Sequence, residues 1–176
     1  MTMFELIGET EQLRLFRDAY RDATGQRLRV VRKSERPDFI CKRPDGTLVG
    51  VEFTLVTRDP ESSSWDSILN GVEYMDGSDA SMEIQAAVSR KAAKRAGPDW
   101  QLPDSSILVL STPDCPISDL AYYLNGVRGE FEGSGFTEIW LADHSETEAY
   151  GAVELFCLWP DEWWGWYRRQ RGKPFG

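Results

Sequence analysis

The chain has 176 residues, of which 41% are hydrophobic and 28% are charged, and this composition is typical of a globular protein with a sizeable core. Its formal net charge of −9 argues against strong overall attraction to nucleic acid. It contains no apolar run of membrane-spanning length and no signal-peptide pattern at its start, so we expect a cytoplasmic protein without a membrane partner. We expect residues 1–176 to form a single domain.

Hydrophobic periodicity predicts the order helix, three strands, helix, strand, helix, strand, strand. The first helix is expected at 10–24, with Thr10 as its N-cap and Gly25 at its end. A tight-turn sequence at 44–46 joins the second and third strands. The predicted strands are 27–33, 38–43, 47–56, 106–111, 136–142 and 151–159, and the other helices are 80–96 and 116–128. This order predicts an α/β sandwich with a mixed central sheet flanked by helices.

Two segments are not assigned to regular structure along their length. Residues 57–79 are rich in serine, glycine and acidic side chains, and we expect a long loop insertion that serves as a flap or a partner surface. Residues 160–176 form an aromatic and then basic C-terminal tail. Its tryptophans and arginines suit stacking on bases and contacts to phosphate, but they equally suit covering the sheet or an oligomer contact.

Positive charge is concentrated in three segments. Residues 14–43 hold ten Lys or Arg against four Asp or Glu, and residues 167–176 hold four basic and no acidic side chains. Four of the six remaining basic residues lie in 90–95. Folding either brings the three segments together on one basic face or leaves them as separate solvated edges.

The cysteines and the single histidine do not form a catalytic or metal-binding pattern. Cys41, Cys115 and Cys157 are widely spaced and lack a CxxC pair, which does not fit a cysteine–histidine zinc site. His144 stands in the acidic sequence LADHSETEAYG, which is typical of an exposed turn. A nucleophile activated by His144 therefore has little support.

Two carboxylates stand on neighbouring predicted strands. Asp38 opens the second strand, Glu52 lies within the apolar sequence VGVEFTLV of the third, and the turn at 44–46 brings them within reach. A buried carboxylate needs a metal, a cation or hydrogen bonds. Mg²⁺ or Mn²⁺ suits two carboxylates, acidifies bound water and stabilises charge on phosphate. The alternative is a structural role, in which Asp38 caps a turn and Glu52 binds an arginine such as Arg29 or Arg32.

These residues resemble the motif of the PD-(D/E)XK nuclease superfamily, whose members have the restriction-endonuclease-like fold. Asp38 follows Pro37, Glu52 stands in an E-x-T sequence, and the element order from about 10 to 111 matches the common core of that fold. The resemblance implies a three-layer sandwich in which Asp38 and Glu52 bind the metal and are catalytic. The family lysine follows the acidic residue by two positions, where this chain has Thr54.

In some members of the superfamily a lysine from the following helix takes this place, and the corresponding residue here is Lys91. At 100° per residue, Ile84, Val88 and Lys91 share the apolar face of the second helix, so we expect Lys91 to point towards Glu52. Lys94 is the substitute candidate. The alternative for Lys91 is a side chain that extends from the edge of the helix to water.

Some members also use a glutamate of the first helix as a further metal ligand. Glu9 is the candidate here and Glu5 is the other option, although acids at a helix N-terminus also suit the helix dipole.

The resemblance implies a divalent-metal-dependent nucleic-acid phosphodiester hydrolase, acting on DNA rather than RNA, in a defence, mobile-element or repair context. A homodimer suits an enzyme that cuts two strands. The alternative is a non-catalytic acidic interaction protein of the same fold, resembling an immunity protein, an antitoxin or an accessory subunit. Residues 44–166 hold 6 basic and 22 acidic side chains, a net charge of −16, which suits a cationic protein partner.

Overall fold

The computed structural model describes residues 8–56, 76–100, 105–113, 115–145 and 151–167. Within these ranges the chain forms three α-helices, seven strands and one short 3-10 helix. The helices are α1 (Glu9–Thr24), α2 (Gly77–Ala96) and α3 (Ile117–Asn125). The strands are β1 (Arg29–Lys33), β2 (Phe39–Lys42), β3 (Leu48–Leu55), β4 (Ser106–Thr112), β5 (Glu138–Asp143), β6 (Glu154–Trp159) and β7 (Gly165–Tyr167), and the 3-10 helix is Asp161–Trp163.

The seven strands belong to one mixed sheet, and their order across the sheet is their order along the chain. β1, β2 and β3 are antiparallel neighbours, whereas β3, β4 and β5 run parallel to one another. β6 and β7 extend the sheet in antiparallel fashion. α2 lies between β3 and β4 in the chain and α3 between β4 and β5, as parallel pairs require long crossover connections. The predicted mixed α/β architecture is confirmed.

Helices cover both faces of the sheet because successive strand residues point to opposite sides. α1 packs one face through Leu13, Phe16 and Tyr20. α2 and α3 pack the other face, onto alternate residues of β4 such as Leu108 and Leu110, which are fully buried. Burying one such side chain stabilises the fold by about 1.5–3 kcal/mol. In the described part of the chain, no helix is both long and apolar enough to cross a membrane.

A buried charged cluster joins distant parts of the chain on the α1 side. Glu138, at the start of β5, accepts hydrogen bonds from the Tyr20 hydroxyl (3.0 Å), Trp140 Nε1 (2.9 Å) and Arg43 Nη2 (2.7 Å). Arg43 Nη1 also donates to the Tyr20 oxygen (3.0 Å) and to Gln26 Oε1 (2.8 Å). The buried carboxylate is thus paired and hydrogen-bonded, which is the condition under which its burial is tolerated.

The starts of two helices differ from the sequence-based prediction. The N-cap of α1 is Gly8, without a side-chain hydrogen bond, so Thr10 is helical and is not the cap. α2 begins before residue 80 because the Asp76 side chain accepts hydrogen bonds from the backbone N–H groups of the next turn and caps it. The end of the predicted 57–79 insertion is therefore the start of α2, and residues 57–75 lie outside the described residues.

The aromatic part of the predicted C-terminal tail forms the 3-10 helix and β7. Trp163 packs on the core that α1 covers, and Trp164 packs on the opposite core. The Trp164 ring lies 6.4 Å from that of Phe131 and 5.4 Å from that of Phe156, measured between centroids. These tryptophans cover the core, as one of the alternatives for the tail predicted. Residues 168–176 lie outside the described residues.

His144 is 5% exposed, so the prediction of an exposed turn was wrong. Its backbone N–H donates to the Thr112 carbonyl (3.2 Å), which prolongs the β4–β5 pairing past Asp143 and draws the side chain inward. Burial lowers the pKa of His144 to about 4, although the Asp143 carboxylate opposes this shift. The imidazole is therefore neutral at pH 7.

Candidate active site on strands β2 and β3

Asp38 and Glu52 lie opposite each other on the antiparallel β2–β3 pair. Phe39 pairs with Val51, and continuing this register by one residue sets Asp38 opposite Glu52. Directly opposed residues project from the same face of a sheet, with Cβ atoms about 4.5–5.5 Å apart. The two carboxylates thus come together as the turn at 44–46 indicated.

Asp38 is partly buried, and its Oδ2 accepts a hydrogen bond from the backbone N–H of Phe53 (2.8 Å). Burial raises the pKa of Asp38 from 3.8 to about 6, against the effect of the Phe53 hydrogen bond. The negative charge of Glu52 raises this pKa further, whereas the positive charge of Lys91 lowers it. Asp38 is therefore a carboxylate that changes protonation close to neutral pH.

Gly50 explains how the start of β2 sits so close to β3, and the sequence analysis did not identify this role. A Cβ added at Gly50 would lie 2.6 Å from Cγ of Pro37, a separation that packed side chains do not reach. The missing side chain lets Pro37 rest on β3 and sets the adjoining Asp38 beside Glu52. The available signal was a glycine inside an apolar strand, which often marks a close backbone approach.

Glu52 is 5% exposed and lies on the face of β3 that α2 covers, because its neighbours Val51 and Phe53 pack on the α1 side. Its Oε1 accepts a hydrogen bond from Lys91 Nζ at 2.9 Å. Its Oε2 is buried and has no hydrogen-bond partner among the residues that the structure describes. A buried carboxylate oxygen without a hydrogen-bond partner costs free energy, and a role in binding a ligand would account for it.

Lys91 reaches Glu52 from α2. Ile84 and Val88 are buried in the core beneath the helix, and Lys91 follows them on the same face with a side chain that is 16% exposed. The expected approach of Lys91 to Glu52 is confirmed, and the alternative of a side chain extending to water is not what the structure shows. Lys94, the substitute candidate, is exposed.

Thr54 stands two residues beyond Glu52 in β3 and therefore projects from the same face of the strand. A lysine at position 54, as in the nuclease motif, would approach the Glu52 carboxylate from β3, whereas a lysine on α2 approaches it from the helix. The pairing of Lys91 with Glu52 thus supplies from a helix the charge that Thr54 does not supply from the strand.

Glu9 does not join Asp38 and Glu52. Its Oε2 lies 3.0 Å from Lys33 Nζ, and both side chains are more than half exposed. Its charge nevertheless contributes to the raised pKa of Asp38. In the portions of the chain that the structure describes, no three His, Cys, Asp or Glu side chains are grouped to hold a metal ion. The metal-ligand role of Glu9 stays a prediction.

The donor set nevertheless fits a hard divalent cation. Mg²⁺ is commonly bound through one or two carboxylates, with water and substrate phosphate oxygens in its other positions. Asp38 and Glu52 are two such carboxylates, and Oε2 of Glu52 has an unused acceptor site.

No protein-family model, no curated protein and no solved structure matches this chain. Membership of the PD-(D/E)XK superfamily therefore stays a prediction that rests on Asp38, Glu52, Lys91 and the element order.

Proposed function

We propose that this chain is a divalent-metal-dependent nucleic-acid phosphodiester hydrolase with a restriction-endonuclease-like fold. One arrangement carries the proposal. The Lys91 ammonium lies 2.9 Å from Oε1 of the buried Glu52, whose Oε2 has no partner in the described part of the chain, and Asp38 stands opposite. A structural ion pair alone requires neither a second carboxylate at this place nor an unsatisfied oxygen.

The residues have distinct roles in this proposal. Asp38 and Glu52 hold Mg²⁺ or Mn²⁺, and the ion, when bound, supplies an acidified water and stabilises charge on the phosphate. Lys91 fixes the orientation of the Glu52 carboxylate through the 2.9 Å contact. It also places a positive charge where negative charge develops on the substrate, which lowers the barrier most in a water-poor site.

The element order supports the fold part of the proposal. α1, the antiparallel β1–β2–β3 meander, the α2 crossover and the parallel β4 follow the order of the common core of the superfamily. Helices on both faces agree with a three-layer sandwich. Because β-sheet topologies are shared by unrelated functions, the order supports the fold more than the activity.

The alternative is a non-catalytic acidic interaction protein of the same fold. One observation favours it, since Lys91 neutralises Glu52 with protein groups alone. A buried pair of this kind is compatible with a purely structural role. Its proposed contact surface, the 57–75 part of the insertion, lies outside the described residues.

A cleavage assay separates these functions. Labelled single- and double-stranded DNA and RNA are incubated with the protein in Mg²⁺ or Mn²⁺, and in EDTA. We expect metal-dependent cleavage that falls at least about 10²-fold in Asp38→Ala and Glu52→Gln. Glu83→Gln, which removes an acid from α2 away from the site, is the matched control and should cleave normally.

Binding of the metal is measured separately by thermal unfolding. Mn²⁺ should raise the Tm of the unaltered protein and leave that of Glu52→Gln unchanged, because a ligand stabilises only the state that binds it. Full cleavage by folded Asp38→Ala would refute the assigned site. A folded protein that neither cleaves any of the four substrates nor responds to Mn²⁺ would favour the interaction protein.

A further inference from the structure

A second group of basic side chains lies at the other end of the β1–β2 pair. It surrounds a surface depression of about 360 Å³, which is lined by Arg27, Arg29, Lys42, Arg43, Pro44 and Gly46. Four of these six residues are cationic and none is acidic. In a chain whose net charge is −9, such a concentration of positive charge requires an explanation.

The strand register places two of these cations directly against each other. Arg29 pairs with Lys42 across β1 and β2, and like charges at opposed positions destabilise a sheet. Among the described residues, Arg27, Arg29 and Lys42 have no carboxylate within ion-pair distance. The fold therefore bears a repulsion here that an anionic ligand would relieve.

Among the described residues, Arg43 is the only one of the four lining cations that pairs with a carboxylate. Arg43 is held from behind by Glu138 (2.7 Å) and Gln26 (2.8 Å), so its position does not depend on a ligand. Asp45, the acid of the adjoining turn, is bonded to the backbone N–H (2.8 Å) and hydroxyl (2.6 Å) of Thr47. Glu138 thus neutralises Arg43, and the positive charge of the depression comes mainly from Arg27, Arg29 and Lys42.

We propose that this depression binds the phosphodiester backbone of a nucleic-acid strand whose scissile phosphate lies at Asp38 and Glu52. The lining offers positive charge from Arg and Lys side chains, which commonly contact phosphate oxygens and so fix the position of a bound strand. The choice of nucleic acid as the polyanion rests on the proposed function.

The geometry connects the depression with the candidate active site. Asp38 immediately precedes β2 and lies four positions before Lys42, so in extended backbone the two residues project from the same face of the sheet at a separation of about 13 Å. A bound strand that contacts Arg29 and Lys42 needs to extend only this distance along β2 to reach the carboxylates. This contact would set the position of the nucleic-acid strand relative to the phosphodiester bond that is cleaved.

The test is fluorescence anisotropy of short labelled oligonucleotides at several salt concentrations, in EDTA so that binding is measured without cleavage. The variant is Arg29→Gln/Lys42→Gln, and the matched control is Arg14→Gln/Arg21→Gln, which removes two exposed cations from α1. The variant should bind more weakly than the control. Its slope of log K against log salt should fall by about 1.4 for a single strand and about 1.8 for a duplex, because two phosphate contacts are lost.

The same variant reports on folding. Removing both opposed cations should leave the Tm unchanged or higher, since it ends their repulsion. A weaker complex therefore cannot be attributed to unfolding. If the variant and the control bind oligonucleotides with equal affinity and equal salt slope, the proposal is overturned.

Two further outcomes identify the ligand and separate this inference from the proposed function. Equal loss of binding to poly-glutamate and to the oligonucleotide would overturn the assignment to nucleic acid. Loss of oligonucleotide binding in a protein that never cleaves would support the depression as a binding site and count against the hydrolase. Metal-dependent cleavage with unchanged binding by the variant would support the hydrolase and overturn the depression.

Discussion

At the scale of single residues, the protonation of Asp38 determines when the candidate site is charged. Burial raises its pKa to about 6, and the neighbouring Glu52 carboxylate adds to this shift. Under the proposed function, a metal ion would have to displace this proton to bind both carboxylates, so the affinity for the metal would depend on pH in the range where Asp38 ionises.

Asp38→Asn should stabilise the metal-free protein at pH 8 and have little effect at pH 4. The folded pKa of about 6 exceeds the ordinary aspartate pKa of 3.8, so the native state binds the proton more tightly than the unfolded chain. The resulting stabilisation is present below about pH 4 and is lost as the pH rises through 6. Asparagine keeps the acceptor for Phe53 N–H and removes the charge, which we expect to gain about 1–3 kcal/mol at pH 8.

The measurement is urea unfolding of both proteins in EDTA at pH 4 and pH 8. The carboxylate Asp45, which is exposed, has its pKa lowered by the Thr47 hydrogen bonds. Asp45→Asn is therefore the matched control, and it should destabilise at pH 8 in the opposite sense. An equal effect of Asp38→Asn at the two pH values would contradict the raised pKa.

At the scale of secondary-structure elements, the candidate site depends on how β3 and α2 face each other. Glu52 and Thr54 project from one face of β3, and the side chain of Lys91 on α2 contacts Glu52 on that face. The lysine of the nuclease motif would lie on β3, whereas Lys91 lies on α2. Both positions approach the carboxylate of Glu52. Gly50 contributes by letting Pro37 lie against the strand.

Lys91→Met should lose both activity and stability, and adding Thr54→Lys should restore activity in part. Removing the partner of the buried Glu52 leaves an uncompensated charge, at a cost of about 3 kcal/mol. A lysine at 54 starts from the same face of β3 and returns a cation to Glu52. Cleavage rates and urea unfolding of the unaltered protein, Lys91→Met and the double variant measure both effects.

The matched control places the second lysine where it cannot reach. Lys91→Met/Leu55→Lys adds the same charge one residue further along β3, on the opposite face. It should not recover activity. Equal recovery in both double variants would show that any added positive charge suffices and that Lys91 has no specific position.

At the scale of the whole molecule, the cluster around Glu138 connects the β2–β3 turn, α1 and β5. Arg43 and Glu138 are 14% and 4% exposed at their side chains, and Tyr20 bridges them. These contacts hold the meander that carries Asp38 and Glu52 against the parallel half of the sheet. The cluster also fixes one wall of the basic depression.

Arg43→Met should destabilise the protein by about 3–5 kcal/mol, because it leaves Glu138 buried without a cation. Adding Glu138→Gln should recover part of this loss, since the second change removes the unpaired charge. Arg14→Gln breaks exposed ion pairs with Glu11 and Asp18 and should cost less than about 1 kcal/mol. Urea unfolding at pH 7 compares the four proteins, and equal losses in Arg43→Met and Arg14→Gln would contradict the burial of the cluster.

Local patterns accounted for most elements and for the core of the candidate site. Two apolar segments and the turn between them predicted that Asp38 comes within reach of Glu52, and helical periodicity placed Lys91 on the buried face of α2. Local patterns failed where the deciding contact is not local. Thr10 resembled an N-cap although the cap is Gly8, two residues earlier, and His144 resembled an exposed residue although pairing with β4 draws it inward.

The sequence by itself determined the mixed α/β architecture, the approach of Asp38 to Glu52 across the turn and the place of Lys91 on the apolar face of α2, because strand and helix periods act over a few residues. The tertiary structure alone decided which polar atoms are satisfied. It left Oε2 of Glu52 without a partner, packed Pro37 on Gly50, joined Arg43 to Glu138 and gathered Arg27, Arg29 and Lys42 around one depression. These contacts join residues that are well separated in the sequence, and the burial of each residue depends on the whole fold. Only the packed chain therefore specifies them.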